Sequence, residues 1–270
     1  MKSLLNFTLF LLTLFILSSC LNEDIENIDA NYEIQNEVEI IKINWTFGTI
    51  KFTESNKFEF SANKINPNKF NFKLDNKELL IEYSGNDNVD LTINLNDKKV
   101  LSFIYINGFS NNIFIDKTTT NSLEIHSKVG QFEISNCKIN QLKSYINAGE
   151  LHKCCVIKNS QIENCEILYD RIHLVNLTNN IFDSISLNLK CASTRISQNS
   201  FEKLNLVQDN GDVYIDLNGN YGYTFNILCE NFSLDFETIN YYNKFIYKNG
   251  EKLVSLKNTN GSFDIRRYFN

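Results

Sequence analysis

Apolar and polar residues alternate in short runs through most of this chain, and one arrangement recurs. It reads apolar-x-apolar, four variable residues, glycine, then x-apolar-x-apolar. Ile41, Ile43, Gly48, Ile50 and Phe52 fit it, as do Leu123, Ile125, Gly130, Phe132 and Ile134. So do Leu204, Leu206, Gly211, Val213 and Ile215, and again Val254, Leu256, Gly261, Phe263 and Ile265. Leu142, Ser144, Gly149 and Leu151 make a partial copy that Lys153 breaks, and Leu101, Phe103 and Gly108 keep the first half. Cys165-Ile167-Ile172-Leu174 and Ile185-Leu187-Ala192-Thr194-Ile196 lack the glycine. Through the middle of the chain the copies start at Leu123, Leu142, Cys165, Ile185 and Leu204. A period of about 20 marks a solenoid, in which each turn buries its apolar face against the next.

Each apolar-x-apolar pair is a short strand with one buried face. The glycine bends the chain at a corner that needs positive φ or close packing against the next turn. A second, asparagine-containing corner is expected at Asn136, Asn159, Asn180 and Asn199. Asparagine tolerates left-handed turns and stacks into hydrogen-bonded ladders. Three short segments per period favour an all-β parallel β-helix, or β-solenoid, with turns of about 20 residues. Strands spaced by about 8–12 residues also allow an antiparallel sandwich.

The flanks differ. Residues 21–36 are acidic and weakly periodic, which predicts a tether. Residues 56–106 carry longer alternating runs, such as Phe70-x-Phe72-x-Leu74 and Leu79-x-Ile81-x-Tyr83. They predict an antiparallel N-terminal cap that hides the edge of a domain spanning 37–270. Residues 225–249 are rich in Phe and Tyr and predict a less regular penultimate turn, with some rings facing water.

Residues 1–20 change the picture of where this domain works. Lys2 precedes an apolar run from Leu4 to Leu17, too short for a membrane span and laid out as a secretory signal peptide. Leu17-Ser18-Ser19-Cys20 resembles a bacterial lipobox. The resemblance implies cleavage before Cys20 and acylation of that cysteine, hence a lipid-anchored protein of the bacterial cell envelope, periplasmic or surface-exposed. Without Lys2 the mature chain carries 25 basic and 32 acidic residues. That balance excludes nucleic acid as a partner, since phosphates demand basic surface.

The stretch Tyr247-Lys248-Asn249-Gly250-Glu251, followed by Val254 to Ile265, resembles the closing turns of bacterial adhesin-type β-strand-repeat domains, which are common in exported lipoproteins. Ile41 to Phe52 resembles their opening strands. The resemblance covers most of residues 38–267 and implies a β-helix-like fold without established catalytic residues.

Candidate chemistry is sparse. Besides Cys20 there are six cysteines, Cys137, Cys154, Cys155, Cys165, Cys191 and Cys229. Export permits disulfides, but the irregular spacing suits buried thiols equally. No C-x-x-C or paired histidine offers a zinc site, and His126, His152 and His173 do not share a register. His152 and Cys154 could pair as base and nucleophile but lack an orienting third group. Asp209-Asn210-Gly211-Asp212 lacks the spacing of a calcium loop. Gly219 and Gly222 lack the neighbours of a phosphate loop. A carbohydrate-cleaving site would need Asp170, Arg171, His173 and Arg195 to line one groove. The expectation is therefore a non-catalytic protein without cofactor or metal. It is held to a membrane by lipid and presents a rigid surface to a protein or glycan ligand, with Gly48, Gly130, Gly149, Gly211 and Gly261 at its corners. A carbohydrate-active enzyme and a purely structural envelope protein are the alternatives.

Overall fold

In the computed structural model the chain is all-β, with most strands in one large, mostly parallel sheet that does not close. Residues 27–96, 99–147, 154–190, 192–229, 231–235, 237–239 and 243–269 are described. Cys20, Gly149, His152 and Cys191 lie outside them. Among the described residues there is no α-helix, and the one helical turn is the 3-10 turn Pro67–Lys69.

The chain opens with β1 (Ile28–Glu33), the long β2 (Ile40–Ser55) and four short strands, β3 (Glu59–Ile65), β4 (Phe70–Asp75), β5 (Glu78–Tyr83) and β6 (Leu91–Asn96). Two long strands follow, β7 (Val100–Asp116) and β8 (Thr119–Ser135). Next come β9 (Lys138–Asn147), β10 (Cys154–Lys158), β11 (Gln161–Asp170) and β12 (Leu174–Thr178). The series continues with β13 (Ile181–Leu189), β14 (Ser193–Ser197), β15 (Lys203–Asn210) and β16 (Val213–Asn218). The last six are β17 (Tyr223–Leu228), β18 (Asn231–Leu234), β19 (Glu237–Ile239), β20 (Asn243–Tyr247), β21 (Lys252–Asn260) and β22 (Ser262–Tyr268).

Two parallel ladders run through these strands. In the first, Ile41, Ile104, Leu123, Leu142, Cys165, Ile185, Leu204 and Val254 are successive partners. In the second, the order is Ile50, Ile113, Phe132, Cys155, Val175, Thr194, Val213 and Phe263. All of these side chains are at most 3% exposed, so the pleat sends one face of both ladders into a single core. The pairing is parallel, so the antiparallel sandwich is not what forms.

The template copies thus stack in register, with two corrections. Leu101 and Phe103 are not the equivalents of Leu123 and Ile125; Ile104 and Ile106 are. Asn111, not Gly108, consequently sits between Gly48 and Gly130. The other correction concerns the order of the last turns. Val254 pairs with Leu204 on one side and with Phe225 on the other, so β21 and β22 slot between β15–β16 and β17–β18. The aromatic-rich segment is therefore outermost rather than penultimate, and β20 folds antiparallel onto β17 beyond it. Phe225 and Phe232 turn into the core, whereas Tyr241 and Tyr242 lie outside the described residues. Lys252 fastens the incoming turn. Its buried ammonium donates to the Phe201 carbonyl at 2.9 Å and to Glu202 at 2.7 Å, over the Tyr221 ring.

The antiparallel cap is narrower than 56–106. It consists of β3 on β6 and β4 on β5, while β7 already pairs parallel with β2 from Phe103 onward. β5 and β6 themselves cover the outer edge of β2 in parallel. Nor is all of 21–36 a tether. β1 pairs antiparallel with β3, and Tyr32 packs on Phe72 with ring centroids 4.2 Å apart.

The two corners differ chemically. At the glycine corner, Gly48, Gly130 and Gly211 have φ of 123°, 153° and 100°. A Cβ on Gly130 would lie 1.8 Å from the Asn111 carbonyl oxygen, and one on Gly211 1.9 Å from that of Ala192. At the other corner Lys117, Asn136, Asn159, Asn179 and Gln198 take left-handed backbone conformations. The equivalents of Asn136 and Asn159 are thus Asn179 and Gln198, one residue before the expected Asn180 and Asn199. Those two belong to an inner ladder. Thr118 N–H donates to Cys137 Sγ, Cys137 N–H to Ser160 Oγ, Ser160 N–H to Asn180 Oδ1, and Asn180 N–H to Asn199 Oδ1. Each buried side chain satisfies the backbone donor of the turn before it, as buried amides require.

Two stability predictions follow from these corners. Gly130→Val or Gly211→Val forces a side chain into a neighbouring carbonyl at positive φ and should cost at least ~3 kcal/mol. Thermal melting should then fall by roughly 6–12 °C. Asn180→Leu strands the Ser160 donor and should cost about 1–3 kcal/mol in urea unfolding, while exposed Asn179→Gly, which keeps the left-handed backbone, should cost under about 0.5 kcal/mol.

Candidate functional site

Register aligns the outward side chains as well as the core. On the first ladder Asn71, Glu82, Asn44, Asn107, His126, Tyr145 and Leu168 are successive partners across β4, β5, β2, β7, β8, β9 and β11. Strands lie about 4.8 Å apart, so this row runs roughly 29 Å across the sheet face. Every one of these residues lines a cleft of about 880 Å³. Lys69 and Ser84 from the cap and Phe109 and Lys128 from the glycine corner also line it.

The row has two halves. In the polar half, Glu82 accepts from Asn44 at 3.0 Å and from Asn71 at 3.3 Å, which orients both amides. In the aromatic half, His126 lies between Tyr105 and Tyr145, with centroids 5.4 and 4.9 Å away, and its Nε2 is 2.5 Å from Glu124. Leu168 is 44% exposed and Phe109 45%. Phe109 packs edge-on to Phe47 at 5.5 Å, under the Lys128 ammonium. Exposed apolar groups beside oriented amides on a rigid sheet are features of a binding surface.

The four residues weighed for carbohydrate cleavage are not gathered. Asp170 lines this cleft, 3.8 Å from Lys190. Arg195 lines a separate hollow with Tyr214, Asp216 and Asp264, while Arg171, at φ 61°, and His173 line neither. Among the described residues no three His, Cys, Asp or Glu side chains come close enough to share a metal ion. Asp212, in the stretch with a calcium-like composition, accepts instead from the Ser262 hydroxyl at 2.7 Å. No helix among the described residues is long and apolar enough to cross a membrane.

The five described cysteines are free thiols. Cys137, Cys155 and Cys165 occupy inward positions. Burial pushes the Cys137 thiol up to about 12 and raises Cys155 and Cys165 strongly too. Ser144, which breaks the apolar template, is fully buried and hydrogen-bonds Tyr169 Oη at 3.0 Å. The small serine thus answers a tyrosine that the alternation alone does not reveal. The cleft was not legible as a site because its row draws one residue from each of seven strands, spread in sequence from Asn44 to Leu168. Only the register through β2 brings Asn44 and Glu82 next to Asn107.

No family model matches the chain, and no curated protein sequence matches it. Similar solved structures include a "putative adhesin" from Bacteroides fragilis, 14% identical over 89% of this chain and 96% of that one, with a TM-score of 0.37. A "putative lipid binding protein" from Parabacteroides distasonis is 10% identical over 89% and 97%, with a TM-score of 0.44. A "putative cell adhesion protein" from Clostridium sporogenes is 15% identical over 90% and 100%, with a TM-score of 0.27. With each of these TM-scores below 0.5, nothing about this chain's ligand follows from them.

Thiol labelling checks the core assignment. Under native conditions maleimide should modify Cys154 first and Cys229, whose thiol burial pushes up to about 11, more slowly, and should spare Cys137, Cys155 and Cys165 until denaturant is added, as read by peptide mass spectrometry.

Proposed function

We propose that this chain is a non-catalytic, lipid-anchored protein of the bacterial cell envelope. In this reading the two ladders and the cap form a parallel β-solenoid that presents the large cleft to a ligand. The observation that carries the binding role is the outward row from Asn71 to Leu168, held in register by seven strands. A sheet face fixed by continuous ladders meets a ligand with little ordering left to do, which favours affinity. The envelope location is supported by the signal-like Leu4–Leu17 run and by Cys20. Asn27, the first described residue, follows Cys20 closely in the chain. At about 3.5 Å per residue, the connection between them reaches at most roughly 25 Å from the bilayer surface.

Two measurements on cells test the reading. An alkyne fatty acid should label the wild type and not Cys20→Ala; label on neither protein contradicts the anchor. A photo-cross-linking amino acid at position 109 on intact cells should give one defined adduct. The same probe at Tyr214, on the other ladder, should give none. Equal patterns from both positions contradict the cleft as the binding surface.

A further inference from the structure

We infer that the ligand of this cleft is an uncharged oligosaccharide lying across the strands, along the row from Asn71 to Leu168; the inference rests on the reading of the cleft as the binding surface. The geometry is repetitive. One outward side chain is presented at every strand, about 4.8 Å apart, close to the length that one pyranose adds to an extended glycan. Successive sugar rings would therefore meet successive side chains in similar relation.

The chemistry narrows the class further. Asn71, Asn44 and Asn107 offer both donors and acceptors, and Glu82 between them is an acceptor only. Hydroxyl groups, which donate and accept, match this set. An anionic ligand would meet the Glu82 carboxylate in the middle of the polar half. An acyl chain would desolvate Glu82 and the amides without replacing their hydrogen bonds. An extended peptide binds through backbone pairing at a sheet edge, whereas most of this row lies on strands paired on both sides. The aromatic half supplies the exposed apolar surface of Phe109 and Leu168 and the flank of Tyr145, which His126 braces from the other side, and the C–H face of a sugar packs against these. Lys69 and Lys128 are balanced by Glu82 and Asp170 along the same lining, which favours a ligand without net charge.

Isothermal titration of the full chain in detergent micelles tests this, using soluble gluco-, manno- and galacto-oligosaccharides of two to six units and an anionic oligogalacturonate. The expected result is binding to at least one uncharged series that strengthens with length. Phe109→Ala and Tyr145→Ala should each weaken it by about fivefold to tenfold. Phe109 is exposed, so its variant should keep the strand signature in circular dichroism and serves as the folded control. Preference for the anionic chain, or binding that neither variant weakens, overturns the inference. No binding to any uncharged series, while the position-109 adduct still forms and is digested by protease, overturns the inference and leaves the binding reading standing. No binding and no adduct removes both.

Discussion

In-register parallel stacking is the constraint on which the rest of this structure depends. Once Leu123 lies on Ile104 and Leu142 on Leu123, every position of a turn is assigned to a column. A one-residue slip would send the buried set to solvent, so the hydrophobic core and the register enforce each other. Corners come under the same rule. A glycine is needed where a neighbouring carbonyl leaves no room for Cβ, as at Gly130 and Gly211. A left-handed residue is needed where the chain turns, as at Asn159 and Asn179. The inner ladder from Thr118 to Asn199 then supplies acceptors for backbone donors that the turn removes from the sheet.

The ends of the stack address a hazard that parallel stacking creates, namely exposed strand edges that could pair with other chains. At one end β5 and β6 cover β2, and antiparallel partners cover them in turn. At the other, β21 and β22 enter between β15–β16 and β17–β18, and β20 folds over β17. The last turn in sequence is thus enclosed on both sides, which requires the chain to leave the stack after Asn218 and return at Lys252.

Much of this was legible in the alternation. The copy starts Leu123, Leu142, Cys165, Ile185 and Leu204 are themselves successive partners on the first ladder, so the sequence period and the strand register coincide there. Periodicity failed where chain order and spatial order part. The copy at Val254 follows Leu204 directly in space although β16 to β20 intervene in the chain, and nothing local in sequence marks the detour. The Gly108 assignment failed because a glycine at the expected distance outweighed the better apolar pair Ile104 and Ile106, which left Asn111 in the glycine column. The cleft row was hidden for a related reason. Its polar members are ordinary asparagines on outward positions, and only the cap's pairing with β2 aligns them.

Binding, in this account, is a by-product of stacking made specific by the choice of outward residues. The most direct test is a distance across the row. Spin labels carried by noncanonical amino acids at positions 71 and 168 should give a narrow pulsed-dipolar distribution at about 25–30 Å, the span of six strand spacings. A broad distribution, or a narrow one centred far outside that range, would contradict a single in-register sheet face joining the cap to the repeating turns.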